Sequence, residues 1–306
     1  MSRFLAPVFQ TGFFTSSPVH TALIIGAAVA VVAGPLGLFT VMRGQSFAAE
    51  SLGDIGTTGG SAAFLVGVSA LWGFVAVGLM AAAAMELVGI QRTRGRDLAT
   101  GIVLGASLGL AALFLYFDTT VHSTTGATVT ILFGSIFAIS SSTIPVVIVL
   151  GVVVSMILLA IHRPLLLSTV NPDLAAARGV PVRIVGAAYL GALALAIALC
   201  ATTIGSLLST ALLIGPAAAA LRLTNRPAVA ALVAALLGVA AMWIGIVLAY
   251  DSFYWPPKEQ GWPVSFFVIS LVFVFYLLSG LPGWRQRRQA RTKPLSQGPE
   301  IAEAGI

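Results

Sequence analysis

Glu50 and Asp54 stand one helical turn apart in the stretch Ser46-Phe-Ala-Ala-Glu-Ser-Leu-Gly-Asp-Ile-Gly-Thr-Thr-Gly-Gly60, between two long apolar runs. Side chains at i and i+4 share a helix face, so both carboxylates aim at one place. An ionised carboxylate at bilayer depth costs at least about 3 kcal/mol unless a cation or a water-filled cavity meets it. Two carboxylates with no imidazole or thiolate are hard oxygen ligands, suited to Mn²⁺, Fe²⁺ or Ca²⁺. Two ligands leave a site incomplete, whereas a symmetric dimer placing two copies face to face would supply four. Gly53, Gly56, Gly59 and Gly60 predict a helix break at the same place, because glycine tolerates unwound backbone. Such backbone is allowed at depth only where it lines a cavity. The competing reading is a polar loop that reaches the outer surface with its acids solvated.

The elements that must position this pair follow from composition. Of 306 residues, 58% are hydrophobic and only 8% charged, against roughly 25% charged in soluble domains. With a mean hydropathy of +1.02, the chain is an integral membrane protein, all-α. The net charge of +6 is no nucleic-acid signature. The cations lie in short loops and in a tail with Arg285, Arg287, Arg288, Arg291 and Lys293, a pattern that sets topology.

Apolar runs of about 20 residues predict helices near 20–42, 64–88, 98–117, 143–161, 184–203, 205–221, 227–249 and 264–281. The segment 46–60 is a ninth candidate, too polar to face lipid and therefore enclosed by the others. The result is a polytopic helical bundle with eight or nine transmembrane segments. Residues 184–221 read either as two helices or as one long span and a broken one, dividing near Thr202 to Ser206. The run from His20 to Met42 is too long for a signal-peptide core and reads as a first span. Val129 to Ile139 is apolar but too short to cross, and reads as a re-entrant or surface-lying cap.

Charge asymmetry gives the orientation. With a cytoplasmic C-terminus, Arg43, Arg92, Arg94, Arg96, Arg163, Arg178, Arg183, Arg222 and Arg226 all fall inside, leaving only Arg3 and Lys258 outside. Asp251 to Trp262 is then external, its Tyr and Trp at the interface. The N-terminus is external if nine segments cross.

The largest cytoplasmic loop, 168–183, contains a second constellation. Asn171 can cap, Pro172 suits a first helical position, and Gly179 followed by Pro181 terminates. A helix of about two turns carrying Asp173, Leu174 and Arg178 results. It either receives force from a cytoplasmic motor or merely tidies the loop at the interface. Among the remaining chemistry-bearing residues, Asp118 and His122 read as a solvated external pair, and His20 and His162 as interfacial. Glu86 is expected to snorkel toward Arg92 or Arg94. Pro216 should kink its helix, as a gate or simply as packing. Cys200 is a small packing residue. There is no Walker A sequence and no nucleophile–base pair within the spans. The chain is therefore expected to be no enzyme, and any nucleotide chemistry belongs to another subunit.

These residues resemble the permease subunits of bacterial ABC importers for manganese, zinc and ferrous iron. Val41-Met-Arg-Gly-Gln-Ser-Phe-Ala-Ala-Glu-Ser-Leu-Gly-Asp54 is similar to the family's Arg-x-x-Ser-Phe/Leu-x-x-Asp-Ala-x-x-His segment. Leu132-Phe-Gly-Ser-Ile136 resembles Leu-Phe-Gly-Asp/Ser-Ile. Val170-Asn-Pro-Asp-Leu-Ala-Ala-Ala-Arg-Gly-Val-Pro181 resembles Asp-Pro-Glu-x-Ala-x-x-x-Gly-hydrophobic-Pro. Ile204-Gly-Ser-Leu-Leu-Ser-Thr-Ala-Leu-Leu-Ile-Gly-Pro-Ala-Ala218 resembles Val-Gly-x-Leu-Leu-Val-x-Ala-Leu-Leu-Ile-x-Pro-Ala-x. The order and spacing of the four over about residues 20–281 carry the likeness.

The resemblance implies a type II importer fold over residues 1–283; the remainder, 284–306, has no family role and is expected to be a basic, disordered cytoplasmic tail. It implies a second permease copy, ATP-binding subunits, an extracytoplasmic metal-binding protein, and docking of 172–179 on the ATPase. The family's metal-contacting Asp and His fall on Glu50 and Asp54, so carboxylate replaces imidazole. That leans toward Mn²⁺, while zinc also accepts carboxylates. No permanently bound cofactor is implied; the metal is cargo. The rival reading is a secondary carrier or channel using the same two acids without an ATPase.

Overall fold

The computed structural model describes residues 16–88, 96–121, 126–253, 255 and 261–291. Its helices are α1 (Ser17–Met42), α2 (Ser46–Leu65), α3 (Ala70–Val88), α4 (Arg96–Val121), α5 (Ala127–Phe133) and α6 (Ile144–Val170). The remainder are α7 (Pro172–Ala177), α8 (Val182–Ile204), α9 (Ser209–Leu223), α10 (Pro227–Ser252) and α11 (Val264–Arg291). No strand occurs among the described residues. Eight segments are long and apolar enough to cross a membrane. Helix α2 is less apolar, but its 20 residues extend roughly 30 Å at 1.5 Å per residue, the thickness of a hydrocarbon core.

Helices α8 and α1 form the centre: 78% and 67% of their spans are buried, against 17% for α4 at the periphery. Lipid tails are as apolar as leucine, so helix contacts here depend on close packing rather than on escape from water. Small residues supply it. A Cβ on Gly34 would fall 2.5 Å from the Ala235 nitrogen of α10, and one on Gly37 would overlap the Leu213 carbonyl of α9. Helix α1 thus sits directly on both backbones.

Several expectations are corrected. No break occurs in α2, which runs unbroken through Gly53, Gly56, Gly59 and Gly60 to Leu65. Its glycines serve packing instead. A Cβ on Gly59 would lie 2.2 Å from the Gly73 oxygen of α3, and one on Gly73 would lie 2.0 Å from the Gly59 oxygen. A helix that gains so close a neighbour has no reason to unwind. Helix α2 also takes Phe64 from the expected next span, which starts at Ala70. Helix α6 continues past the expected end at 161 and through Pro164 to Val170, because Leu165 and Ser168 beyond the proline are buried. Helix α11 extends to Arg291, so the expected tail begins as helix. Residues 292–306 lie outside the described residues, as do Arg3, Arg92, Arg94, His122 and Lys258.

The break falls instead at Gly205, where the backbone turns left-handed at φ 90° before a 3₁₀ turn over Ser206–Leu208. That resolves 184–221 into two helices, α8 and α9. Pro216 lies inside α9 without ending it. The expected cap is also present, as α5 followed by 3₁₀ turns at Ile136–Ala138 and Ser141–Thr143. It is seated on the break. Gly134 is left-handed too, at φ 73°. A Cβ there would lie 2.5 Å from the Gly205 nitrogen, and a Cβ on Gly205 would lie 2.2 Å from the Leu132 oxygen.

Gly59→Val should drive a branched side chain into α3 and cost about 1–3 kcal/mol, the usual penalty of overpacking. Gly105→Ala, with nothing within 4 Å of its new methyl, should not. Thermal unfolding of the two purified variants in detergent checks this, Gly59→Val melting below the unaltered chain and Gly105→Ala level with it.

Candidate functional site

Helix α2 begins after a three-residue joint, Arg43-Gly-Gln45, closed by hydrogen bonds from Gly44 N to Val41 O (3.1 Å) and Gln45 N to Thr40 O (2.9 Å). That is the bond pair of a Schellman cap. Asp54 lies roughly 12 Å along a helix of roughly 30 Å, in its middle third. Four hydroxyls of α2 are satisfied by carbonyls, three of them within the helix. Ser51 Oγ donates to Phe47 O (2.8 Å), Thr57 to Gly53 O (2.9 Å), Ser61 to Thr57 O (2.9 Å) and Thr58 to Ser107 O of α4 (2.7 Å). Hydroxyls bonded to the preceding turn travel into an apolar bundle at little cost.

The carboxylates are the exception. Ala49, Leu52, Gly53, Gly56 and Gly60 face the bundle and are buried, whereas Glu50 is exposed and Asp54 half-buried. Phe47, one turn before Glu50, is 54% exposed. The structure therefore brings the two predicted acids together, close enough to interact electrostatically, on the side of α2 that the chain's own helices leave uncovered. Among the described residues no group of three His, Cys, Asp or Glu gathers. One copy contributes an open pair of oxygen ligands, not a closed site. Sequence reasoning missed what backs the pair. A Cβ on Gly53 would lie 3.4 Å from the Ser209 hydroxyl at the foot of α9 and 3.9 Å from the Ser206 carbonyl oxygen in the turn before it, and the Ser206 hydroxyl is buried without a hydrogen-bond partner. The only trace of this in the sequence is the Gly205-Ser206 step at the undecided division.

The second constellation folds as expected. Asn171 Oδ1 accepts from Leu174 N (2.9 Å), Pro172 opens α7, and Gly179 closes it at φ 79°. Ala175 is buried while Asp173, Leu174 and Arg178 are exposed. A short helix is thus pinned on one residue, with an apolar and two charged side chains turned outward.

Just above α7 lies a cluster that sequence reasoning did not assemble. Arg43 Nη1 donates to Ser168 Oγ (3.1 Å) and Thr169 Oγ1 (3.4 Å), and its Nε donates to Gln45 Oε1 (3.2 Å). The guanidinium lies over the ring of buried Tyr189 at 5.4 Å, and Tyr189 shares a 2.7 Å hydrogen bond with Thr40. Burial pulls the Arg43 guanidinium below its ordinary range, and the electrostatics of Tyr189 and Glu86 oppose that shift. It stays charged all the same. Glu86 lies within electrostatic reach of Arg43 and against Gly186 of α8; Arg92 and Arg94, its expected partners, lie outside the described residues.

At the opposite end a cavity of about 660 Å³ opens between residues 64–71, Asp118, the cap and Thr202. Asp118 lines it and is 2% exposed, not solvated as expected, because the cap folds over that end of α4. His162 has a buried Nδ1 without a hydrogen-bond partner, and its ring packs edge-on against Phe39 at 6.0 Å. Cys200 is buried packing.

The model of the ABC 3 transport family matches residues 16–278. The chain is 31% identical to the manganese transport system membrane protein MntC of Halalkalibacterium halodurans over 237 residues, 77% of this chain and 80% of that protein. It is 26% identical to the high-affinity zinc uptake system membrane protein ZnuB of Buchnera aphidicola over 251 residues, 82% of this chain and 94% of the relative. Its fold is shared with PsaBC from Streptococcus pneumoniae, solved in complex with a Fab, at a TM-score of 0.77 and 22% identity. That match covers 91% of this chain and 97% of the other. Four quoted motifs, a helical bundle with eight segments among the described residues long and apolar enough to cross a membrane, and a family match over most of its length agree: the chain belongs to the ABC 3 transport family, as a multi-pass membrane permease.

Proposed function

We propose that the chain is the membrane-spanning subunit of an ATP-driven importer for a divalent transition metal, with Glu50 and Asp54 as its contacts to the passing ion. The observation that carries this is the uncovered carboxylate edge of α2. Two acids cannot be left against lipid. A second copy of the chain, packed with the same face inward, would both cover them and complete a four-carboxylate site. The all-oxygen donor set favours Mn²⁺ over softer ions. The chain's likeness to membrane proteins of manganese and zinc transport systems supports a divalent transition metal as cargo. Membership of an ABC transport family disfavours the stand-alone carrier.

ATP hydrolysis is assigned to separate ATP-binding subunits, and delivery of the ion to an extracytoplasmic metal-binding protein. Helix α7 is the docking point for the ATPase, through Asp173, Leu174 and Arg178. The C-terminus is cytoplasmic, on the side of α7 and of the inside arginines.

Two outcomes are expected. Replacing Glu50→Gln together with Asp54→Asn should abolish ATP-dependent accumulation of radiolabelled Mn²⁺ in vesicles while the chain still assembles with its ATPase. Persisting uptake would remove the acids from the ion path. Leu174→Asp with Arg178→Glu, both on the exposed side of α7, should weaken co-purification of the ATPase at least about tenfold, as loss of an anchoring contact does. Undiminished co-purification would reassign α7 to a purely local role.

A further inference from the structure

Helices α2 and α6 share no extended packing surface among the described residues, yet one side chain bridges them. Arg43 reaches Ser168 and Thr169 in the last turn of α6 and Gln45 at the start of α2. We propose that Arg43 is a positioning residue that ties α7, through the end of α6, to the start of α2, so that displacement of α7 is delivered to Glu50 and Asp54. The inference rests on the importer reading and adds the part that transmits its motion.

The local chemistry suits a strut. Ser168 and Thr169 spend their hydroxyl protons on Leu165 O, at 2.9 and 2.7 Å, so their oxygens are left to accept from Arg43. Guanidinium is planar with a fixed fork of donors; it can hold α6 through one nitrogen and Gln45 through another without bending. Tyr189, held by Thr40, backs it from α8. Both connections onward are short. Thr169 is two residues from Asn171, which caps α7. Gln45 accepts the Ala49 amide at 3.1 Å, so it already belongs to the first turn of α2, and Glu50 is the next residue. A clip that served only to neutralise Glu86 would need neither hydroxyl.

The test uses the whole transporter, this chain with its ATPase and metal-binding protein, in proteoliposomes. Radiolabelled Mn²⁺ uptake and phosphate release are followed together. Arg43→Met, and separately Ser168→Ala with Thr169→Val, should each cut the Mn²⁺ moved per ATP by about tenfold while hydrolysis continues, a coupling loss within the usual range. Because the three residues form one link, the combined variant should be no worse than the poorer of the two. Arg43→Lys, which keeps the charge but loses the fork, should fall between.

An unchanged ratio in the Ser168→Ala, Thr169→Val chain would overturn the proposal, and so would losses that multiply in the combined variant. Uptake and hydrolysis declining in proportion would reduce Arg43 to a structural role and overturn it equally. Absence of ATP-dependent uptake by the unaltered transporter is a different result: it would overturn the importer reading itself.

Discussion

Inside a bilayer a polar atom has no water to turn to, and every feature of this bundle answers to that constraint. The answer is most visible in α2, whose sequence is rich in Gly, Ser, Thr and acids. Its hydroxyls donate to the carbonyls one turn back or to the neighbouring α4, and its glycines bring α3 within backbone contact. Once those groups are satisfied, a helix half made of Gly, Ser, Thr and acids is as acceptable at depth as a leucine-rich one. What remains is the carboxylate edge, which the chain alone does not cover. The same rule confines the irregular backbone at Gly205 to a place where it is enclosed by protein.

Much of this was legible because membrane insertion writes itself in composition. Apolar runs of bilayer length located the spans, and Asn171, Pro172 and Gly179 announced α7 through cap chemistry that is local by nature. Four spaced motifs were enough to indicate the family. The Glu50–Asp54 pairing was also readable, since i and i+4 need only a helix.

The rest was hidden for one reason: it depends on partners distant in sequence. Gly53 to Gly60 spell an unwound segment until Gly73 is known to lie against them. Asp118 looks solvated until the cap folds over the end of its helix. The sixth helix reads as ending near 161 until Leu165 is seen in the core. Arg43 is separated from Ser168 by 125 residues; nothing in the joint at 43–45 names that partner. Sequence reasoning thus found groups that act through neighbours along one helix and missed those that act across the bundle.

The seat of the cap has a consequence of its own. Gly134 and Gly205 meet backbone to backbone, so the join between the cap and the helix break is written in main-chain atoms and carries almost no side-chain vocabulary. Two positions are fixed and the surface around them is free. Substitutions elsewhere on the cap can therefore change its exposed face without disturbing how that face is anchored.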